Sequence, residues 1–306
     1  MNENILIDIE AKKQTKKWRN ISIFLVCLVI LVLLVKLPNA SFVNKSDSRI
    51  ESIAEIYLNE TIYEDEYRLK VINNLIKNDN IKAVLLHIDS PGGAVAPSET
   101  LFNVINKLNK KKPVISIMHG MATSGAYMVA LGSDYIIAQN TSLTGSIGVL
   151  LQTYEITNLA NAVGLEVKTF KSSKLKGLPS FFEKNTPEAN KVLQSSIDDI
   201  YDYFVGLLKE KRPNLKGDNL KTAINGQAFT GRQALKIGLI DAIGDKTTAL
   251  NYLKEKHNIN TELPLIKVEL KKKLKFNNIQ DFLGIFNLKS PSNVLDGNKK
   301  IMLIYQ

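Results

Sequence analysis

The chain has 306 residues, 44% of them apolar, and its 40 Lys and Arg residues exceed its 30 Asp and Glu residues to give a net charge of +10. This length supports a substantial buried core, and ordinary Gly and Pro contents exclude a fibrous or broadly disordered chain. The basic clusters lie near the two ends without interleaved aromatic residues or a nucleic-acid-binding module, so we expect no nucleic-acid partner. One cysteine, Cys27, excludes an intrachain disulfide, and the three histidines offer no zinc cluster. We expect no metal and no cofactor.

The first predicted element is a membrane segment. A basic stretch, residues 1–20, precedes the apolar run Ile21–Val35. A spanning helix needs about 20 residues, so the run suffices if the polar ends of flanking residues reach the interface. The sequence therefore predicts a transmembrane anchor over residues 21–37.

The charge distribution around this anchor predicts its orientation. Lysine and arginine are enriched on the cytoplasmic side of a membrane, so the N-terminus is expected in the cytoplasm. The remainder then lies on the outer side of the cytoplasmic membrane. A cleaved signal peptide is the alternative, because the run matches a signal peptide in length. Against cleavage, Pro38-Asn39-Ala40 lacks the small residue expected three positions before the cut.

Apolar runs then alternate with helical patterns along the chain. Residues 38–49 are polar and predict a linker, residues 50–266 predict the main folded domain, and residues 267–306 predict a basic tail. The predicted strands are Ile81–Ile88, Pro113–Met118 and Asp134–Ala138. The predicted helices are Ser98–Leu108, Ser124–Leu131, Ala189–Lys211 and one that begins over Gly231–Lys236. This alternation is typical of an α/β fold with a parallel sheet and crossover helices.

The first candidate site feature follows the strand Ile81–Ile88. The turn Ser90-Pro91-Gly92-Gly93 exposes backbone N–H groups that no side chain shields. Such donors can stabilise the oxyanion of an acyl-transfer intermediate. A simple tight turn is the alternative interpretation.

The second feature is a serine between a predicted strand and a predicted helix. Ser124 lies among small residues in the stretch Gly120–Tyr127. This position between a strand and a helix is like that of the serine in a nucleophile elbow, although the sequence motif differs. The adjacent N–H of Gly125 would lie near the oxyanion. A helix N-cap is the alternative role for this serine.

A nucleophilic serine needs a general base, and histidine is the usual one. The chain has no histidine between Ser124 and His257, and His257 lies in a charged stretch that we expect to be exposed. His119 precedes Ser124 by only five residues, and His87 lies within an apolar strand, where a structural role is expected. Histidine is therefore an unsuitable base here.

A lysine can replace histidine if burial lowers the pKa of its amine towards neutrality. The stretch Lys171–Lys176 supplies candidates, and the hydroxyl of Ser146 could orient the amine. A solvated basic loop is the alternative interpretation of this stretch.

Together these motifs resemble the signal peptide peptidase A family of serine proteases, which shares a superfamily fold with the Clp protease and crotonase. The resemblance covers about residues 50–244. The motifs that carry it are Asp89-Ser90-Pro91-Gly92-Gly93, Ala122-Thr123-Ser124-Gly125-Ala126-Tyr127, Leu143–Val149, Lys171-Ser172 with Lys176, and Phe229–Asp241.

The resemblance implies a role for each matching position. Ser124 takes the place of the nucleophile, Lys176 that of the general base, and Ser146 that of the residue bonded to the lysine amine. The amides of Gly125 and of the turn Gly92-Gly93 would form the oxyanion hole.

One departure keeps a second lysine open as the base. The family usually has glycine after the Lys-Ser pair, and Ser173 stands there in this chain, so Lys174 is the alternative to Lys176. Members of the family form dome-shaped oligomers in which neighbouring subunits complete each active site, which implies a homo-oligomer.

The expected activity is endopeptidase cleavage through an acyl-enzyme, and remnant signal peptides are the substrates that the resemblance suggests. Apolar residues near the site in sequence are expected to line the substrate cleft: Ala94, Val95, Val149 and Leu150. Three other functions remain open. These are a crotonase-like acyl-CoA enzyme, a non-catalytic membrane scaffold on the same fold, and a penicillin-binding enzyme. Ser173–Lys176 satisfies the S-x-x-K pattern of the last, although no S-D-N or K-T-G element accompanies it.

Overall fold

The computed structural model describes Trp18 and residues 50–271. The predicted anchor at residues 21–37 and the linker up to residue 49 lie outside the described residues. Among the residues described, no helix is long and apolar enough to cross a membrane. The strands are β1 (Ser52–Leu58), β2 (Ile81–Ser90), β3 (Val114–Thr123), β4 (Tyr135–Ala138), β5 (Leu143–Gly145), β6 (Ala228–Thr230), β7 (Ala242–Ile243) and β8 (Leu265–Val268). The helices are α1 (Glu66–Lys77), α2 (Val95–Asn109), α3 (Gly125–Ala130), α4 (Thr157–Ala162), α5 (Pro187–Lys211), α6 (Gly217–Ala223), α7 (Gly231–Ile237) and α8 (Lys246–His257).

All eight strands belong to one sheet, with the order β6-β5-β3-β2-β1-β8. The first half of β3 pairs with β4, its last three residues pair with β5, and β7 extends β4. Every pair is parallel except β5 with β6, which is antiparallel. The expected α/β fold with crossover helices is confirmed, but the sheet is mixed rather than wholly parallel.

The predicted strands and helices all occur, most with longer bounds. β3 continues from Met118 to Thr123, because its last three residues, Met121 to Thr123, pair with β5. Sequence patterns did not reveal the short strands β5 to β8, nor β1 and α1. β8 also crosses the boundary predicted at residue 266, since it pairs with β1 through Val268.

Both faces of the sheet are covered, which is why β2 reads as an almost continuous apolar run. Val84, Leu86 and Ile88 face the layer formed by α1, α2, α3 and α5. Ala83 and Leu85 face the opposite way, where Ala249 and Leu253 of α8 cover them. Period-two alternation therefore divides one strand between two cores.

A partly buried ion pair holds the segment after α7 against the rest of the domain. The carboxylate of Asp241 accepts hydrogen bonds from Nη1 and Nη2 of Arg212 at 2.5 and 3.0 Å, and from the backbone N–H of Ile136 at 2.7 Å. Two residues earlier, the carbonyl of Leu239 accepts a bond of 2.8 Å from the hydroxyl of Tyr127 in α3. Burial raises the pKa of Tyr127, so this hydroxyl remains a donor. The helix that follows Ser124 is thus fixed by the last third of the chain.

Asp241→Asn is expected to lower the free energy of unfolding by about 1.5–3 kcal/mol, because it removes the negative charge from the hydrogen bonds that hold the partly buried guanidinium of Arg212. Urea unfolding followed by circular dichroism measures the change. Asp218→Asn is the matched control, since its ion pair with Lys221 is exposed and contributes little. Equal unfolding midpoints for the two variants would contradict the role given to this pair.

Candidate active site

Ser124 lies at the junction of β3 and α3 in a backbone conformation that is rare for residues with a side chain. Its φ is 53° and its ψ is −123°. Positive φ outside glycine is a form of local strain that concentrates at functional sites. The backbone N–H of Ser124 donates to the carbonyl of Gly145 at 2.8 Å, and its side chain makes no capping bond to α3. The hydrogen bond that defines an N-cap serine is therefore missing, which favours the nucleophile interpretation.

The turn after β2 touches this junction so closely that glycine is required there. Gly92 has a φ of 97°, and a Cβ on it would lie 2.8 Å from the amide nitrogen of Gly125 and 2.8 Å from the carbonyl oxygen of Thr123. A Cβ on Gly93 would lie 2.2 Å from the carbonyl oxygen of Ile62. A bond of 3.1 Å from Thr123 Oγ1 to the carbonyl of Pro91 joins the two turns. The two motifs form one structural unit.

Among residues 50–271, two of the three predicted oxyanion donors lack an acceptor, whereas the amide of Gly92 donates to Ser90 Oγ at 3.2 Å. The carbonyl of Gly92 accepts from Ile62, and the amide of Ala94 donates to Ile62, which fixes the turn. Within residues 50–271, the amides of Gly93 and Gly125 donate to no acceptor. A Cβ on Gly125 would lie 3.4 Å from the nitrogen of Gly93, so the two amides are neighbours. Two free N–H groups beside a serine hydroxyl can stabilise a developing oxyanion.

A small pocket of about 20 Å³ adjoins Ser124. That volume holds roughly one water molecule. Its lining includes the predicted residues Val95 and Val149, whereas the predicted Ala94 and Leu150 are not among the lining residues. Sequence reasoning missed the other walls, because they come from distant segments or from helix faces: Ser98, Met128, Gly148, Ile200 and Phe204. The apolar period of α5 marks Phe204 as buried, but it does not show which strand end this ring meets.

The structure places the predicted supporting residue Ser146 next to the site, but it does not place the predicted lysine base there. Ser146 follows Gly145 directly, has a φ of 49°, and donates its amide to the carbonyl of Gln227 at 2.9 Å. Lys176 is exposed, as is Lys174, and no lysine lines the Ser124 pocket in the part of the chain described. Lys171 instead donates to Glu183, and this bond lowers the pKa of that carboxyl. One chain therefore brings together the serine and its amides but not a lysine.

The histidines lie in separate clusters. His87 is 4% exposed; its Nδ1 lies 2.9 Å from Nε2 of His119, and its Nε2 lies 3.3 Å from a carboxylate oxygen of Glu55. The ring of Tyr57 stacks on His87 at 4.5 Å between centroids. His257 is exposed and paired with Asp134. None of the three histidines lines the Ser124 pocket, so they are no candidates for its base.

Comparison with known proteins identifies relatives of this arrangement. The sequence model of Peptidase family S49 matches residues 106–260. A proposed protease of Methanocaldococcus jannaschii is 32% identical over 302 residues, which are 91% of this chain and 96% of that protein. A proposed signal peptide peptidase, SppA, of Enterococcus faecium is 32% identical over 64% of this chain and 57% of its own length. The chloroplastic serine protease SPPA of Arabidopsis thaliana is 31% identical over 67% of this chain and 30% of its own. The chain thus spans nearly all of the archaeal relative but less than two thirds of the other two.

His87 makes stability depend on pH. Burial lowers its pKa below the ordinary value of 6.5, opposed by Glu55 and assisted by His119 and Lys246. As pH falls through 6.5, the unfolded chain therefore binds a proton before the folded chain does, so the contribution of His87 is complete above 6.5 and is lost below it. We expect the urea concentration at the unfolding midpoint to decrease as the pH is lowered from about 7.5 to about 5.5. His87→Gln is expected to make this dependence on pH weaker. An unchanged slope in the variant would assign the effect to other groups.

Gly92→Ala is expected to slow reaction of Ser124 with a fluorophosphonate by about 100-fold or more, because the new methyl group displaces the Gly125 amide from the oxyanion. Labelling rates by mass spectrometry measure the loss. Gly164→Ala is the control: Gly164 also has positive φ, 75°, but nothing lies within 4 Å of its Cβ position. Equal labelling rates for the two variants would contradict the role given to the contact between Gly92 and the Gly125 amide.

Proposed function

Since this chain belongs to peptidase family S49, we propose that it is a membrane-anchored serine endopeptidase that uses Ser124 as nucleophile and Lys176 as general base. Family membership supports the serine-type protease activity. The observation that supports Ser124 as the nucleophile is its placement, in a strained conformation, beside the free amides of Gly93 and Gly125.

The chemistry proceeds through an acyl-enzyme. The neutral amine of Lys176 takes the proton of the Ser124 hydroxyl as Oγ attacks the scissile carbonyl carbon. The amides of Gly93 and Gly125 donate to the oxyanion, and the lysine ammonium then protonates the leaving amine as the C–N bond breaks. Water, deprotonated by the same lysine, attacks the acyl-enzyme and releases Ser124. The hydroxyl of Ser146 holds the amine in position.

The lysine comes from a second copy of the chain. Support comes from the segment between β5 and α5, which carries the lysines and exposes large apolar side chains, among them Leu150 (83% exposed), Tyr154 (66%), Val163 (71%) and Phe170 (95%). Exposed apolar groups of this density are typical of an interaction surface. A homo-oligomer that covers this segment would carry Lys176 or Lys174 to the Ser124 of its neighbour.

Substrates are extended peptides with a small side chain next to the scissile bond. The small pocket at Ser124 supports this preference, because its 20 Å³ volume excludes a large side chain. Remnant signal peptides fit this description and lie in the membrane, where an anchor at residues 21–37 would hold the enzyme. The anchor leaves the N-terminus in the cytoplasm and the catalytic domain on the outer side.

Ser124→Ala and Lys176→Ala are each expected to reduce peptide cleavage by at least 1000-fold, because each removes one half of the acyl-transfer machinery. Lys174→Ala, a change of the same kind two residues away, is the matched control and is expected to retain activity. Cleavage of fluorogenic peptides with small apolar residues by the membrane-extracted full-length chain measures all three. Full activity of Ser124→Ala would refute the protease assignment, and loss only in Lys174→Ala would move the base to Lys174.

The same variants test the shared site. If Ser124 and Lys176 meet across an interface, a mixture of the two inactive variants restores about one quarter of wild-type activity, since random assembly creates one intact pair in about four sites. No recovery after subunit exchange would contradict a site shared between chains.

A further inference from the structure

A second pocket lies beside the oxyanion turn, between the start of α1 and the first turns of α2. Its volume is about 120 Å³, and its lining includes Tyr63, Asp65 and Arg68 on one side and Ala96 and Pro97 on the other. That volume is about six times that of the Ser124 pocket, so it admits a polar side chain. The chemistry proposed above uses none of these residues.

Arg68 is the unusual member of this pocket. It is only 6% exposed, and its Nε and Nη1 have no hydrogen-bond partner among the residues described. Its Nη2 lies 3.7 Å from Oδ2 of Asp65, while Oδ1 of Asp65 accepts the backbone N–H of Arg68 at 3.0 Å. Buried donors without acceptors destabilise a fold, and a cationic group more than a neutral one. A ligand that supplies an acceptor oxygen removes this penalty.

The charges around Arg68 select the kind of acceptor. Asp65 and the exposed Glu64 also line the pocket, so an anionic ligand would meet two carboxylates against one guanidinium. A cationic ligand would offer no acceptor to Nε and Nη1. A carboxamide meets both requirements, because its carbonyl accepts from Arg68 while its NH₂ donates to a carboxylate.

The Arg68 pocket and the Ser124 pocket lie on either side of the first turn of α2. Val95 lines the Ser124 pocket and the next residue, Ala96, lines the Arg68 pocket. Tyr63 follows Ile62, whose backbone pairs with the oxyanion turn. The first turn of α2 separates the two pockets by about 10 Å, the width of a helix, and an extended peptide advances about 3.3 Å per residue.

We propose that the Arg68 pocket is a subsite for a Gln or Asn side chain of the peptide substrate, about three residues from the scissile bond. This subsite rests on the proposed peptidase activity, and it adds a specificity that the Ser124 pocket does not supply. Arg68 acts here as a binding residue that recognises the side-chain carbonyl.

The test moves one Gln along an otherwise constant Ala-rich peptide, with matched Glu and Leu series, and measures kcat/KM for each peptide. The wild type is expected to prefer Gln to Leu at one position by about tenfold or more, the value of a hydrogen bond to a charged group. Arg68→Met is expected to abolish that preference, to cleave a short peptide that ends before the pocket at the wild-type rate, and to keep or raise the melting temperature. Ala96→Leu fills the pocket from its exposed rim and is also expected to abolish the preference for Gln. Asn103→Leu lies on the same helix but outside the pocket and is expected to keep that preference.

A flat Gln series in the wild type would overturn the subsite, and so would a preference for Glu over Gln. Cleavage of the short peptide distinguishes these results from failure of the peptidase proposal, in which no peptide is cleaved. In that case, anisotropy of labelled Gln and Leu peptides on Ser124→Ala decides the matter. Tighter binding of the Gln peptide that is lost on adding Arg68→Met supports the pocket, and equal binding overturns it.

Discussion

Parallel pairing of β2 with β3 is the constraint on which the candidate site depends. Because the carboxyl ends of both strands lie at one edge, the turn after β2 and the junction after β3 must meet there. A shift of register between Ile88 and Ser90 places Ser90 opposite Ala122, and the turn that follows contacts the junction at Ser124. Only glycine at position 92 allows the contact with the Gly125 amide. Without this register, the two free amides would be separate features of two loops rather than one oxyanion site.

Much of this edge could be predicted from sequence because its signals are local. A Pro-Gly-Gly turn after a buried strand, and a serine among small residues at the next strand end, mark candidate donors and a candidate nucleophile from the order of residues alone. The far walls of the Ser124 pocket could not be found in this way, since Ile200 and Phe204 reach the site from α5 through packing between distant segments. The short strands β5 to β8 carry too few residues for a period to be recognised. Arg68 was missed for a related reason: a charged residue in an amphipathic helix is usually exposed, and only tertiary packing buries it.

The segment between β5 and α5 has a local sequence signal but depends on contacts that the sequence does not show. Its sequence predicts a base, yet within one chain Lys174 and Lys176 are exposed to solvent and many of its apolar side chains are exposed as well. Burial is what would lower the pKa of a lysine amine enough for it to accept a proton. A second chain that covers this segment would supply that burial and place the amine near the serine at the same time. The contacts that stabilise the assembly would then also be the contacts that lower the pKa of the lysine amine.

The place of β8 in the sheet affects how the protein is made. The first strand of the domain, Ser52–Leu58, pairs with the last, Leu265–Val268, which leaves the ribosome roughly 200 residues later. At translation rates of about 5–20 residues per second, that edge waits about 10–40 seconds for its partner. During that interval the nascent chain presents an apolar strand with open backbone groups, the kind of surface that templates aggregation. Holding factors that bind extended apolar segments would therefore matter more for this protein during synthesis than after folding is complete.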